Sequence, residues 1–243
     1  MTKSAPSPSE HHVVQPGVPN LTPVMNADQV IQLLHNRYTA KKYNPNMPCS
    51  EEDFHAIIEA GRMSPSSMGF EPWHFVHLKN QDIIDEIMPY LWGGQGKVED
   101  ASHLVLLLGR DYKEMKPYSD YLAHIHEDIQ HYPAENLDKR MKKYTKFILE
   151  DKGYTTEEEK NLWVDKQVYI ALSNMLTMSA ALGVDSTPLE GFEFKPIEEI
   201  LTKHGVYDPE KFHLTVMVCF GHSDCEHREK TRQPMEEVFS IFE

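Results

Sequence analysis

The segment from Thr156 to Phe192 constrains the fold more than any other, because it predicts a helix of unusual length. A capping box of Thr156 and Glu159 begins this helix, and Gly183 is placed to end it. At 1.5 Å per residue the helix would run for about 39 Å, long enough to cross a whole domain or an interface. Its apolar residues recur at the spacing of one helix side: Trp163, Val164, Val168, Ala171, Leu172, Met175, Leu176, Ala180 and Leu182.

The residues after this helix, 185–192, contain a proline and a glycine and are predicted to form a stiffly shaped loop that faces the chemistry. Elsewhere, continuous apolar runs at His103–Gly109 and Phe212–Phe220 predict strands buried on both faces. A further strand is expected over 74–78, and helices are expected after Asn26 and Ser50. Strands and helices interleave, so the class is mixed α and β.

Residues 118–153 form a polar, charged insertion with two narrow apolar stripes, which predict helices. The insertion either covers a pocket or forms a surface helical pair. At the other end of the chain, residues 1–24 are polar and rich in proline, and we expect a flexible arm there.

Charge and cysteine content restrict the partners. The net charge of -14 disfavours nucleic acid and anionic lipid as partners, although it allows a local basic pocket for a small phosphate. Three widely spaced cysteines with no CxxC pair favour a reducing cytoplasm over a disulfide framework. No apolar run approaches the length of a membrane span, and we expect no membrane attachment. The histidines are scattered, so we expect no metal site.

Three short segments carry cationic or hydroxyl side chains beside helix or strand ends: Arg37/Thr39/Lys41, Ser66/Ser67 and Lys230/Arg232. A phosphate needs charged donors together with neutral hydrogen bonds, and these segments supply both. Each one alone is typical of a solvated surface pair or a turn. Their meeting in space would indicate a phosphate site.

Taken in order, these segments and several others resemble the FMN-dependent nitroreductase family. The branch with the greatest similarity contains the oxygen-insensitive NAD(P)H nitroreductases and the dihydropteridine reductases. The resemblance covers roughly 28–238 and rests on these motifs: Arg37–Lys41, Ser64–Ser67 with Glu71–Phe75, Lys97–His103, Lys166–Leu172, Ala180–Asp185, Pro188–Phe192 and Lys230–Arg232.

The resemblance implies an α+β, three-layer α-β-α fold, in which helices flank a central mixed, mostly antiparallel sheet. Residues 25–243 would form a single FMN-binding domain of a homodimer, with the C-terminal tail exchanged between subunits. The activity implied is an NAD(P)H oxidoreductase that passes hydride through FMN, in a ping-pong cycle, to nitroaromatics, quinones or related acceptors, dihydropteridines included. NADH or NADPH would be the co-substrate.

The resemblance also implies roles for individual residues. Arg37 and Thr39 match contacts to the phosphate and ribityl chain of FMN, with Tyr38 between them, and Lys41 matches a contact to the ring. Lys230 and Arg232 match a pair that holds the phosphate. Three residues match the segment that the other subunit donates to the flavin: Pro65, Ser66 and Ser67.

At the ring, Lys97 matches a lysine near the pyrimidine edge, where a positive charge would stabilise the anionic reduced flavin. Leu189, Glu190 and Gly191 match the loop whose backbone amides approach N5 and O4 of the ring. The flavin would carry the chemistry, so no general acid or base is assigned, and Glu190 is the single candidate for a catalytic side chain.

Two positions depart from the branch pattern and bear on substrate preference. Gly94 stands where asparagine is usual, and Glu71 stands where glutamine is usual. Three alternatives remain open from the sequence: a flavin-binding or storage protein with little turnover, a specialised flavin reductase, and a colourless helical interaction protein whose apolar stripes serve dimer packing.

Overall fold

A four-stranded antiparallel sheet with strand order β1-β2-β4-β3 forms the centre of the molecule. The computed structural model describes residues 23–243, so most of the predicted N-terminal arm lies outside the described residues. The strands are β1 (Trp73–Leu78), β2 (His103–Arg110), β3 (Asp185–Leu189) and β4 (Phe212–Gly221). The helices are α1 (Ala27–Asn36), α2 (Glu51–Arg62), α3 (Gln81–Ile87), α4 (Asp120–His124), α5 (Leu137–Lys146), α6 (Glu157–Ala181), α7 (Phe194–Lys203) and α8 (Met235–Val238).

The central strand β2 shows why the fold has three layers. Its side chains alternate between the two faces of the sheet, as the two-residue period of a strand requires. Leu104, Leu106 and Leu108 enter a core with residues of α3 and α7. Val105 and Leu107 enter a second core with residues of α2 and α6. The predictions of a strand buried on both faces and of an α-β-α sandwich are therefore confirmed.

The long helix α6 also forms as predicted, with both hydrogen bonds of the Thr156–Glu159 capping box in place. Gly183 follows its end in a left-handed conformation, at φ +74°. The predicted stripe is buried from Trp163 to Met175, but Leu182 at its end is exposed. Apolar residues also occupy the opposite side of α6, where Leu162 is 55% exposed.

The prediction of a loop over 185–192 is wrong for its first five residues, which form strand β3. Pro188 has no N–H to donate to a neighbouring strand, so it belongs at the edge of a sheet. β3 is an edge strand that pairs only with β4 within the described chain. All four strands pair antiparallel, and a parallel contact occurs as the isolated bridge between Thr39 and Ser186.

The insertion folds into helices with a core of its own, against the first half of α6. Its two helices, α4 and α5, each continue into one wider turn, Ile125–Ile129 and Phe147–Asp151. The apolar residues of this third core include Leu122, Met141, Tyr144, Ile148 and Trp163. The insertion therefore shares a buried core with α6, so its helices are not simply a pair on the protein surface.

Among the described residues, no helix is long and apolar enough to cross a membrane.

Candidate functional site

The two cationic segments, which are distant in the sequence, meet at one pocket. This pocket, of about 300 Å³, is lined by residues 37–39, Lys41 and residues 228–232. We call its basic members, Arg37, Lys41, Arg228, Lys230 and Arg232, the cationic cluster. The acidic residue Glu229 also lines the pocket. Arg228 was not singled out in the sequence, although it begins the alternating basic pattern that ends at Arg232.

Within the cluster, the C-terminal tail is fastened to the end of α1. The ammonium group of Lys230 donates a hydrogen bond to the carbonyl of His35 at 2.7 Å and another to the carbonyl of Arg37. Carbonyls at a helix C-terminus lack partners inside the helix and favour a cation. The guanidinium of Arg37 also donates to Thr39 Oγ1 at 3.3 Å.

The electrostatics of the cluster favour an anionic ligand. Burial, and then repulsion from Arg232, lowers the pKa of Arg37. Burial, and then repulsion from Arg37 and Arg232, lowers the pKa of Lys230. Within residues 23–243, no carboxylate lies within ion-pair distance of any member of the cluster. Concentrated positive charge of this kind in an acidic protein fits a phosphate group.

Strand β3 connects this cluster to a second group of predicted residues, which comprises Glu190 and Gly191 after the strand and Lys97 beside them. Beside the Thr39–Ser186 bridge, Thr187 Oγ1 donates to the carbonyl of Ala40 at 2.8 Å. Glu190 lies four positions after Ser186, which corresponds to roughly 13 Å along a strand. A ligand with a phosphate in the cluster and an extended body along this edge would reach the loop after β3.

That loop touches the glycine-rich segment after α3 through two glycines. Gly93 N–H donates to the carbonyl of Gly191 at 2.7 Å. A Cβ on Gly93 would lie 3.0 Å from Gly191 Cα, and one on Gly191 would lie 2.9 Å from Gly93 Cα, so neither position has room for a side chain. Lys97 Nζ donates to the carbonyl of Gly93, and Leu189 is buried in the core below.

Some polar groups of this loop already have hydrogen-bond partners within the chain, and others do not. The hydroxyl of Tyr169 on α6 donates to the Glu190 carboxylate, and burial followed by this hydrogen bond raises the pKa of Tyr169. The amide of Gly191 makes no hydrogen bond to another backbone group of the described chain and is available to a ligand. Tyr169 was not predicted from the sequence. A tyrosine on a long helix gives no signal that it will meet a loop 21 residues away.

Pro65, Ser66 and Ser67 do not join these two groups in the single chain. Ser67 N–H donates to Gln167 Oε1 of α6 at 2.8 Å, and Ser66 Oγ accepts from Glu71 N–H at 2.9 Å. The structure therefore seats this segment on α6, beside the insertion. Gln167 is a buried polar residue inside an apolar stripe, the one signal by which its anchoring role could have been found.

The insertion holds the loop that follows Ser67. Arg140 Nη2 donates to the carbonyl of Met68 at 2.6 Å, and Gln130 Nε2 donates to the carbonyl of Gly69 at 2.5 Å. Met68 and Gly69 both have left-handed backbones, at φ 60° and 63°. Such a conformation is strained for methionine and persists only where its surroundings fix it.

We expect Arg140→Met to lower the free energy of unfolding by about 2 kcal/mol, because hydrogen bonds from a charged donor contribute roughly 1.5–3 kcal/mol. Urea unfolding of the purified variant measures this loss. Lys142→Met is the matched control: Lys142 lies on the same helix, is exposed and pairs with Asp138. Its loss is expected to stay within about 0.5 kcal/mol. Equal losses in the two variants would remove the anchoring role of Arg140.

Comparison with known proteins identifies the family of the chain. Residues 34–222 match the Nitroreductase family. A Staphylococcus haemolyticus protein named "Putative NAD(P)H nitroreductase SH0546" is 39% identical over 213 residues, which are 87% of this chain and 96% of that protein. A Bacillus subtilis protein named "Putative NAD(P)H nitroreductase YfkO" is 37% identical over 212 residues, 86% of this chain and 96% of the relative.

A solved structure shares the fold at lower identity. It is described as a "putative nitroreductase in complex with FMN" from Exiguobacterium sibiricum. Its TM-score is 0.69 at 16% identity, and the match covers 90% of this chain and 99% of that one. This likeness extends to the fold, whereas the family match and the close relatives extend to the sequence. The chain belongs to the Nitroreductase family.

Proposed function

We propose that the protein is a homodimeric, FMN-dependent NAD(P)H oxidoreductase that reduces nitroaromatics, quinones or related acceptors, dihydropteridines included. The cationic cluster is the observation that carries this proposal. Its members come from opposite ends of the chain and share a pocket with no carboxylate of the described residues paired to them. Family membership and the names of the close relatives support the same activity.

In this proposal Arg37, Thr39, Lys230 and Arg232 hold the FMN phosphate, and Tyr38 and Lys41 line the path toward the ring. The chemistry of the donor set fits, since charged and neutral donors together surround one pocket. The Gly191 amide at the far end of β3 then faces the ring, and Glu190 is held to one side by Tyr169. Gly94 packs beneath this loop against Leu189 and carries no side chain toward the ligand.

Lys97 has a supporting part in this arrangement. Its ammonium group donates to the carbonyl of Gly93, which keeps the positive charge beside the Gly93–Gly191 contact. A fixed positive charge near the ring would favour the reduced, anionic flavin. The bound flavin would supply the redox chemistry itself, by accepting a hydride from the reduced nicotinamide and passing two electrons to the acceptor.

The homodimer is supported by apolar surface that a single chain leaves uncovered. On α1, Val30, Ile31 and Leu34 are all exposed, and Ile31 is 55% exposed. On α6 the exposed apolar residues include Leu162 and Ile170, and the tail ends with exposed aromatic residues. Exposed apolar side chains grouped along helices in this way are typical of an association surface. A partner copy would also bring its Pro65–Ser67 segment to the flavin, because the same segment of this chain is held on α6.

The test is anaerobic mixing of the purified, flavin-loaded protein with NADH or NADPH. We expect prompt bleaching of the flavin absorbance, and its return when a nitroaromatic, a quinone or a dihydropteridine in its oxidised quinonoid form is added. Free flavin as acceptor measures the specialised flavin reductase activity. Persistent colour after nucleotide addition would favour the storage protein, and a colourless preparation that takes up no added FMN would favour the interaction protein.

A further inference from the structure

A second basic pocket lies in the insertion, apart from the cationic cluster. It has a volume of about 470 Å³ and is lined by Met68, Tyr132, Lys139, Arg140 and Lys143, among others. Lys139 and Lys143 are four residues apart, so both project from one side of α5. Neither lies within ion-pair distance of a carboxylate of residues 23–243, whereas Lys142 and Lys146 on the same helix both have acidic partners.

The wall of the pocket is partly aromatic, and contacts between its side chains hold them in place. Tyr132 is 52% exposed, and its ring stacks on buried His126 with centroids 5.4 Å apart. The guanidinium of Arg140 lies 5.1 Å from the centroid of the same Tyr132 ring. His126 Nε2 lies 3.1 Å from the carbonyl of Pro133, and its Nδ1 lies 3.2 Å from Arg140 Nη1, so the ring is fixed from both sides.

An exposed aromatic ring beside unpaired lysines suits a ligand that joins a flat base to a phosphate. Aromatic side chains stack on bases whatever their identity, and lysine binds phosphate as a point charge. The pocket also adjoins Met68, which directly follows the Ser66–Ser67 segment. If that segment covers a flavin, a co-substrate reaching the flavin would have this pocket beside its path.

We propose that this pocket binds the adenosine end of NADPH, with Tyr132 against the adenine and Lys139 and Lys143 on the 2′-phosphate. The proposal rests on the proposed NAD(P)H oxidoreductase function and adds a nucleotide preference to it. NADH lacks the 2′-phosphate, so the two lysines have nothing to bind at that position. The protein therefore uses NADPH in preference to NADH.

The first test compares the two nucleotides in steady-state turnover of the holoenzyme. In Lys139→Ala/Lys143→Ala, the NADPH-to-NADH ratio of kcat/KM falls by about tenfold or more, because charge-assisted hydrogen bonds to phosphate are lost. The change lies mainly in the KM for NADPH. Lys142→Ala/Lys146→Ala, which removes two positive charges from the same helix, keeps the wild-type ratio. Arg140 is left intact because it also holds the loop at Met68.

The second test needs no turnover. Isothermal calorimetry of the wild-type holoenzyme gives tighter binding of adenosine 2′,5′-bisphosphate than of adenosine 5′-monophosphate, and the double variant loses this difference. The assignment of the 2′-phosphate is overturned if the double variant keeps the wild-type NADPH-to-NADH ratio of kcat/KM. It is equally overturned if kcat/KM falls by the same factor for both nucleotides. If neither nucleotide reduces the wild-type flavin, the proposed function fails. The calorimetric difference then decides whether the pocket still selects a 2′-phosphate.

Discussion

Replacement of Arg232 or Lys230 with alanine is expected to weaken FMN binding by about 10- to 100-fold. Each residue would supply a charge-assisted hydrogen bond to the phosphate, worth roughly 1.5–3 kcal/mol. Arg232 is the sharper probe, because its guanidinium hydrogen-bonds within the described chain only to the carbonyl of Thr231. Lys230→Ala also releases the carbonyls of α1, so its effect includes a structural part.

Fluorescence titration of apo-protein with FMN measures the affinity, and the flavin content after purification gives an independent value. Lys203→Ala is the control, since Lys203 pairs with Glu86 on the surface and lines neither basic pocket. In the fraction that keeps its flavin, the rate of bleaching by the reduced nucleotide should change less than the affinity does. Full flavin content in both cluster variants would show that the phosphate binds elsewhere.

Gly191→Ala is expected to separate the two loops that meet beside the proposed ring site. The new Cβ would lie 2.9 Å from Gly93 Cα and 2.9 Å from a ring atom of Trp92. Backbone atoms cannot rotate away as a side chain can, so the loops must shift and the Gly93–Gly191 hydrogen bond is strained or lost. Overpacking and an unmet hydrogen bond each cost about 1–3 kcal/mol.

Urea unfolding measures the stability loss, and FMN titration measures the displacement of the Gly191 amide from the cofactor. Gly94→Ala is the matched control from the same segment. Its Cβ would meet only side chains, those of Leu91, Val98 and Leu189, at 3.3–3.5 Å. These can yield by a few tenths of an ångström, so we expect a loss below about 1 kcal/mol. If Gly191→Ala behaves like Gly94→Ala in both measurements, the close contact of the two loops has no role in cofactor binding.

Local sequence patterns predicted the strands that are buried along most of their length. β2 and β4 are buried on both faces, and their continuous apolar runs show this directly. β3 was missed because Pro188 and the following Gly191 are typical of loops. Its strand character depends on pairing with β4 at the sheet edge, and no local pattern records that pairing. The long helix was predicted with its caps and its buried stripe, whereas its second, exposed apolar side was not identified.

At the candidate site, too, local sequence features could be predicted, whereas contacts between distant segments could not. The segments around Arg37 and Lys230 could be identified from the sequence only as candidates for phosphate binding, because their meeting is a property of the tertiary fold. Their hydrogen bond joins residues 193 positions apart. The resemblance to a family supplied that pairing in advance. The anchors Arg140, Gln130 and Tyr169 came only from the structure, because each acts through a backbone or carboxylate partner that is remote in sequence.

The hydrogen bonds of Lys230 to the end of α1 determine how firmly the C-terminal tail is held in the protein without cofactor. The bonds fasten the C-terminal tail, but repulsion from Arg37 and Arg232 opposes them. An anion in the pocket removes that repulsion, so cofactor uptake and immobilisation of the tail are thermodynamically linked. Proteases are therefore expected to cut the tail more slowly in the FMN-bound protein than in the apo-protein.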